Sequence, residues 1–192
     1  MAGDAAPAAP PPAPPPLSLD GGLSLRLIEP ADEPRLVAMY ARLSRHTAYQ
    51  RFFAAMQRLP PDWAHFFANV DYRTRLALVI ERRAGDETQL VAVGRYEPTA
   101  LPDVAEVAFV VQDGWQGQGL GRLLLRELLA AAAARGIRRF RAYVLADNHR
   151  MLRLLDRHTR VLERSVSAGV AELLFEPLEP PRPGWEPPPA TG

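Results

Sequence analysis

The chain has 192 residues, 47% of them hydrophobic, which is room for one domain with a full core. Its formal net charge of +1 offers no strong field for nucleic acid or a membrane surface, so neither partner is expected. It contains no cysteine, which excludes a disulfide framework, a thiolate nucleophile and a Cys-type zinc site, and all 23 of its basic residues are arginine.

The amino end, residues 1–16, is almost wholly Ala and Pro, with no pattern that could bury a core. A disordered or polyproline-like tail is expected over residues 1–20, a single domain over 21–177, and a second Pro-rich tail over 178–192 that carries Trp185. Both tails read as solvated linker, with docking on a proline-binding partner as the alternative, and no further domain is expected at either end. No apolar run reaches bilayer length, and the amino end has no basic region followed by an apolar stretch. A cytoplasmic chain is the expectation.

Residues 23–28 alternate apolar and polar and predict a first strand. Residues 30–43 have Pro near the start and Leu36, Val37, Tyr40 and Leu43 at helical spacing. Ser44 is a cap for a second helix through His46, Tyr49 and Phe53, and Pro60 or Pro61 opens a third through Trp63, Phe66 and Phe67. His46 and His65 lack the company a metal ligand needs. Residues 75–81 and 90–96 predict an antiparallel pair turning at Gly85, Asp86 and Glu87, and residues 104–111 continue the sheet. A strand follows at 140–145, a shorter helix at 148–157 capped by Asp147 or Asn148, and a closing pair at 161–166 and 170–175.

The informative stretch lies between residues 104 and 135. An apolar, partly β-branched strand runs into a Gly-rich turn, residues 113–121, and then a helix with Leu120, Leu124, Leu125, Leu128 and Leu129 on one side. Arg122, Arg126 and Glu127 are expected on the other side, and Gly136 suits a left-handed stop. Gln116, Gly119 and Gly121 form Q-x-x-G-x-G, with Gly117 also in the loop. Glycines allow close backbone approach, and the helix start offers unpaired N–H groups and the positive end of its dipole. The unit is an anion site suited to pyrophosphate. A P-loop is excluded by the absence of lysine, and the G-x-G-x-x-G dinucleotide pattern fails at Arg122 or Leu124.

Q-x-x-G-x-G between an apolar strand and a helix resembles the acyl-CoA loop of the GNAT N-acetyltransferases. AEVAFVV before it, WQGQGLG within it, VLADNHRML after the next strand and RLSRHTAYQRFF near the front are similar to bacterial GNAT-type protein lysine acetyltransferases. The resemblance spans roughly residues 23–175. It implies an α+β fold: a mixed, mostly antiparallel sheet flanked by helices. It also implies acetyl-CoA as cosubstrate, no metal, and direct transfer of acetyl to an amine. A lysine-free enzyme of that kind cannot acetylate its own side chains.

Such a transfer needs a held donor, a deprotonated amine and stabilisation of the carbonyl oxygen. Glu106 is the candidate general base. It is the only charged side chain in its strand, alternation sets it on a face with Val104, Ala108 and Val110, and partial burial would suit it to work near neutral pH. A glutamate at an open strand end, or one paired with an arginine, is the other reading. The resemblance places the pantetheine arm along the backbone of Phe109, Val110 and Val111. It places the pyrophosphate on the loop of Gln116, Gly117, Gln118, Gly119, Leu120, Gly121 and Arg122. It matches Asn148 to an asparagine that contacts CoA, although a plain helix cap explains it as well. Arg135, Arg138, Arg139 and Arg141 are a solvated face or meet the adenosine phosphate. Tyr49, Arg51, Phe52 and Phe53 are acceptor-side candidates or aromatic core.

Two departures stand out. The family's thiolate-protonating tyrosine would fall near Leu155, with His158 close by, so no general acid is assigned. The usual Gly-Phe after this helix is replaced by His158, Thr159 and Arg160. The acceptor is expected to be a protein lysine. The alternatives are a small-molecule amine acetyltransferase and a non-catalytic acyl-CoA sensor. Oligomeric state is open.

Overall fold

A computed structural model describes residues 17–56 and 58–178. The expected tail conformations over residues 1–16 and 179–192 lie outside the described residues. The described chain folds into one eight-stranded sheet and five helices. The strands are β1 (Leu17–Leu19), β2 (Leu23–Leu27), β3 (Leu76–Ala84), β4 (Glu87–Pro98), β5 (Val104–Val111), β6 (Arg139–Leu145), β7 (Thr159–Ser167) and β8 (Val170–Pro177). The helices are α1 (Glu33–Ala41), α2 (Arg45–Phe52), α3 (Pro61–Ala68), α4 (Leu120–Ala133) and α5 (His149–His158). The spatial order is β1-β2-β3-β4-β5-β6-β8-β7, antiparallel throughout except for the β5–β6 pair. This is the expected mixed, mostly antiparallel sheet flanked by helices.

Both faces of the sheet are covered, and the alternation of side chains divides the core in two. Leu76, Leu78, Ile80, Val107 and Phe109 pack with Leu124, Leu125 and Leu128 of α4 and Leu155 of α5. Ala77, Val79, Val93 and Val110 pack on the opposite face with Leu36 and Met39 of α1 and Ala64 and Ala68 of α3. Each fully buried leucine contributes about 1.5–3 kcal/mol through removal of apolar surface from water. No described helix is long and apolar enough to cross a membrane.

Three sequence expectations need correction. The sheet begins inside the expected tail, because Leu17–Leu19 pairs with Leu23–Leu25 across a short turn at Asp20–Gly22. The first helix starts at Glu33 rather than Pro30. Asp32 accepts from the Glu29 backbone N–H at 2.9 Å and closes a short 3-10 turn there first. Glu127 is buried rather than outward, because it lies three residues after Leu124 and four before Ala131, on the same side of α4. Its charge is met by Arg126, whose Nε donates to it at 2.7 Å.

Candidate functional site

β5 and β6 pair only at Val104 with Arg139, Ala105 with Phe140 and Glu106 with Arg141. Beyond that point the strands part. The opening leads into a cleft of about 460 Å³, floored by β5 and β6 and flanked by α2, the glycine loop and α5.

The loop is built in two steps. Residues Asp113–Trp115 form a 3-10 turn, and Gly119, at φ 85°, is the left-handed residue that turns the chain into α4. The first bond of that helix runs from the Leu123 N–H to the Gly119 carbonyl at 3.0 Å. The N–H groups just ahead of it are therefore open for an anion, with the helix dipole behind them. Arg122, Arg150 and Arg153 stand on the cleft wall beside them. These features fit a pyrophosphate, and the opening between the strands fits a slender arm.

Most of the expected site residues meet here. Glu106, Phe109, Val110, Val111, Gln116, Gly117, Gly119, Gly121, Arg122 and Asn148 all line the cleft. Leu120 and Gln118 do not. Leu120 turns into the α4 core, and Gln118 is exposed with its side-chain amide donating to the Gly114 carbonyl at 3.0 Å. Asn148 caps α5, its Oδ1 accepting from the Met151 N–H at 3.1 Å, so the cap reading and the cleft position hold together.

The Gln116 side chain is a brace. Its Nε2 donates to the Val111 carbonyl at 3.0 Å and to the Thr47 hydroxyl at 3.2 Å, while its Oε1 accepts from Arg150 at 2.7 Å. Asp113, at the head of the loop, is tied to Ser44 and Thr47 on α2. Burial alone would push the Asp113 carboxyl up, but the bonds from Ser44 and Thr47 outweigh it and hold it below the usual aspartate range. Nothing in the sequence marked Ser44, Thr47 and Arg150 as loop partners, because Ser44 and Thr47 are remote in sequence from Asp113, and Arg150 from Gln116. The capping role of Ser44 was legible, and its Oγ accepts from the Thr47 N–H at 3.1 Å.

Glu106 stands where the two strands part. Its side chain is exposed, not half-buried as expected, and it forms the last β5–β6 pair, with Arg141. Its antiparallel partner on β4 is Glu97. Glu97 is held on both oxygens, by Arg75 Nε at 2.6 Å and by Arg95 Nε at 2.9 Å. Arg95 is only 3% exposed, and burial lowers its pKa against the opposing pull of Glu97.

On the acceptor side, Arg51 and Phe53 line the cleft. Phe52 instead belongs to an aromatic cluster with Tyr40, Trp63 and Phe67, at centroid distances of 5.3, 5.7 and 6.5 Å. Tyr49 is exposed and is not on the cleft wall. Tyr143 of β6 and His158 at the end of α5 do line it. Of the arginines expected as one basic cluster, Arg135, Arg138, Arg139 and Arg141, none lines the cleft. Arg135 donates to the Tyr72 carbonyl, Arg139 pairs with Asp103 and Arg141 with Glu172.

Comparison with known proteins accords with this geometry. A model of the acetyltransferase (GNAT) family matches residues 37–159. The chain is 31% identical over 134 residues to Acetyltransferase Pat of Mycolicibacterium smegmatis, covering 69% of this chain and 39% of that protein. It is 28% identical over 136 residues to Acetyltransferase PA5475 of Pseudomonas aeruginosa, covering 70% of this chain and 73% of that one. The solved GNAT domain of S. lividans PAT superposes with a TM-score of 0.73 at 37% identity, over 85% of this chain and 96% of that domain. The chain thus spans well under half the length of the Pat relative, while it covers nearly all of the solved domain. The family uses acetyl-CoA and an acceptor. With the fold, the parted strands and the glycine loop in agreement, the chain belongs to the acetyltransferase (GNAT) family.

Proposed function

We propose that the chain transfers acetyl from acetyl-CoA directly to a primary amine, most favourably a protein lysine, with Glu106 as general base. The observation that carries the reading is the position of Glu106. It is the only carboxylate among the described residues lining the cleft, and it sits where β5 and β6 part. It has no hydrogen bond or ion pair in the described structure, so its oxygens are open to an incoming ammonium.

Acetyl-CoA would supply the thioester. The residues of the chain would do the rest. Loop N–H groups from Gly117 to Arg122 and the arginines beside them would hold phosphate, and the backbone of Phe109, Val110 and Val111 would align the arm. Glu106 would take the proton the amine must lose before it can attack.

The balance of charge supports a protein acceptor over a small polycation. Arg51, Arg122, Arg150, Arg153 and Arg157 line the cleft against the single carboxylate. A polyamine would meet few counter-charges there, whereas one lysine needs only one. The resemblance of the loop and its flanking segments to bacterial protein lysine acetyltransferases supports the same choice.

The test pairs Glu106→Gln with assays on a cell lysate. Turnover should fall by about 10²–10⁴-fold while acetyl-CoA affinity stays within about twofold. Mass spectrometry should find acetyl-lysine in lysate proteins treated with the wild-type enzyme. Full activity in the variant would remove Glu106 as the base. Turnover only with small amines would overturn the protein acceptor.

A further inference from the structure

Two carboxylates face each other across β4 and β5 and are treated very differently. Glu97 and Glu106 are direct antiparallel partners, so their Cβ atoms lie about 4.5–5.5 Å apart on one face of the sheet. Like charges placed in this way repel unless one is neutralised. Here Glu97 is neutralised twice over. Arg75 reaches one oxygen and Arg95 the other, while Glu106 is left bare at the cleft.

The two guanidiniums are themselves fixed. Arg75 lies 3.6 Å over the Phe66 ring and donates to the Phe66 carbonyl at 2.7 Å and the Asn69 carbonyl at 3.1 Å. Arg95 is buried with its guanidinium 4.1 Å over the Phe67 ring. A buried charge held at this cost needs a reason, since an apolar pair of similar volume would pack there as well. The register of β4 is set by its turn. Pro98 faces Ala105, and the Thr99 hydroxyl donates to the Val104 carbonyl at 2.8 Å.

We propose that Glu97, gripped by Arg75 and Arg95, is a positioning residue that sets the electrostatic field at the catalytic carboxylate of Glu106. The proposal rests on Glu106 being the base. The cluster behind the base carries one negative and two positive charges, so removing either sign changes the field at Glu106 in an opposite sense. The cleft also carries Arg122 at the loop and Arg153, Arg157 and His158 of α5, none of which the variants below alter. From β6, Arg141 is its parallel neighbour but lies 3.0 Å from Glu172, and Tyr143 is neutral. From α2, Arg51 stands on the cleft wall and stacks on Phe52 at 4.9 Å.

The experiment is the pH profile of kcat/KM for acetyl transfer, in the full chain, with three variants. Arg75→Gln removes one positive charge and should move the low-pH limb upward by roughly half to one pH unit. Glu97→Gln removes the negative charge and should move the same limb downward by a similar amount. Arg75→Lys keeps the charge and should leave the limb near its wild-type position. A packing role alone would not move the limb in opposite directions. If Glu97→Gln does not fold, the contrast between Arg75→Gln and Arg75→Lys decides the matter. Active variants whose limbs stay put, or move the same way, would overturn the proposal. An inactive Glu106→Gln with unmoved limbs would overturn the role of Glu97 alone. Full activity in Glu106→Gln would sink the base assignment and this proposal together.

Discussion

Asp113 holds Ser44 at two points, accepting from its hydroxyl at 2.6 Å and from its backbone N–H at 2.9 Å. Thr47 adds a third bond, to the same carboxylate, at 2.8 Å. The first residue of the glycine loop is thereby fastened to the start of the helix that carries Arg51. Each bond of this kind has a net worth of about 1 kcal/mol. Asp113→Ala should therefore raise the KM for the acceptor several-fold, with a smaller change in acetyl-CoA affinity. Steady-state kinetics with each substrate varied in turn would separate the two. The folded-state pKa of Asp113 is lowered, so the fastening is complete above the usual aspartate range, near 4, and is lost only as pH falls below it.

A second aspartate bears on stability. Asp32 is fully buried and accepts from Arg26 at 2.6 and 2.8 Å and from Arg35 at 2.8 Å. Burial pushes its carboxyl up, and the bonds from Arg26, Arg35 and the Glu29 N–H more than offset this, so the net direction is downward. Asp32→Ala leaves Arg26 with one carboxylate, Glu81, and the Leu27 carbonyl, and should cost about 3–5 kcal/mol. A group lowered on folding stabilises above its unfolded value and loses that contribution as pH drops through the folded one. Urea midpoints should therefore fall more steeply below about pH 4 in the wild type than in the variant.

Gly94 sits opposite Phe109 with no room for a methyl group. A Cβ there would come within 2.9 Å of the Phe109 ring and 3.3 Å of Leu124 Cβ. Gly94→Ala should cost about 1–3 kcal/mol through overpacking. Because Phe109 lies on the parted strand, acetyl-CoA affinity should fall along with the melting temperature. Calorimetry of unfolding and of ligand binding would show both.

The two glycines of the loop motif should behave differently. Gly119 needs its positive φ, so Gly119→Ala should lose about 1–2 kcal/mol of stability as well as acetyl-CoA binding. At Gly121 a Cβ would meet only Leu154, at an ordinary 3.6 Å. Gly121→Ala should fold like the wild type, and any loss of affinity would report on ligand approach alone. Thermal melts beside acetyl-CoA titrations make the comparison.

The strand, turn and helix around this motif were readable because their signals are local. Period-two and period-four patterns, glycines at the turn and a serine cap all act within a few residues. Asp113 with Ser44, and Gln116 with Thr47 and Arg150, depend on where distant segments meet, and no local pattern encodes that. The register that sets Glu97 beside Glu106 comes from a turn whose geometry the sequence does not spell out. Leu17–Leu19 was hidden by the Ala/Pro-rich stretch before it, and its three residues are too few to show a period. Glu127 has a polar type that suggests solvent, but its helical angle sets it in line with Leu124 and inside the core.

The β5–β6 pairing has a mechanical consequence. Three residue pairs are the entire seam between a half-sheet of five strands and one of three. Residues 107–111 are thus a sheet edge inside the molecule, the kind of surface that elsewhere invites aggregation. Here it lies within the cleft, flanked by α2 and α5. A ligand laid along that edge acts as mortar between two blocks, and binding of this kind raises the resistance of the whole fold to unfolding by mass action. The line along which the sheet would first come apart is also the line along which its substrate would lie.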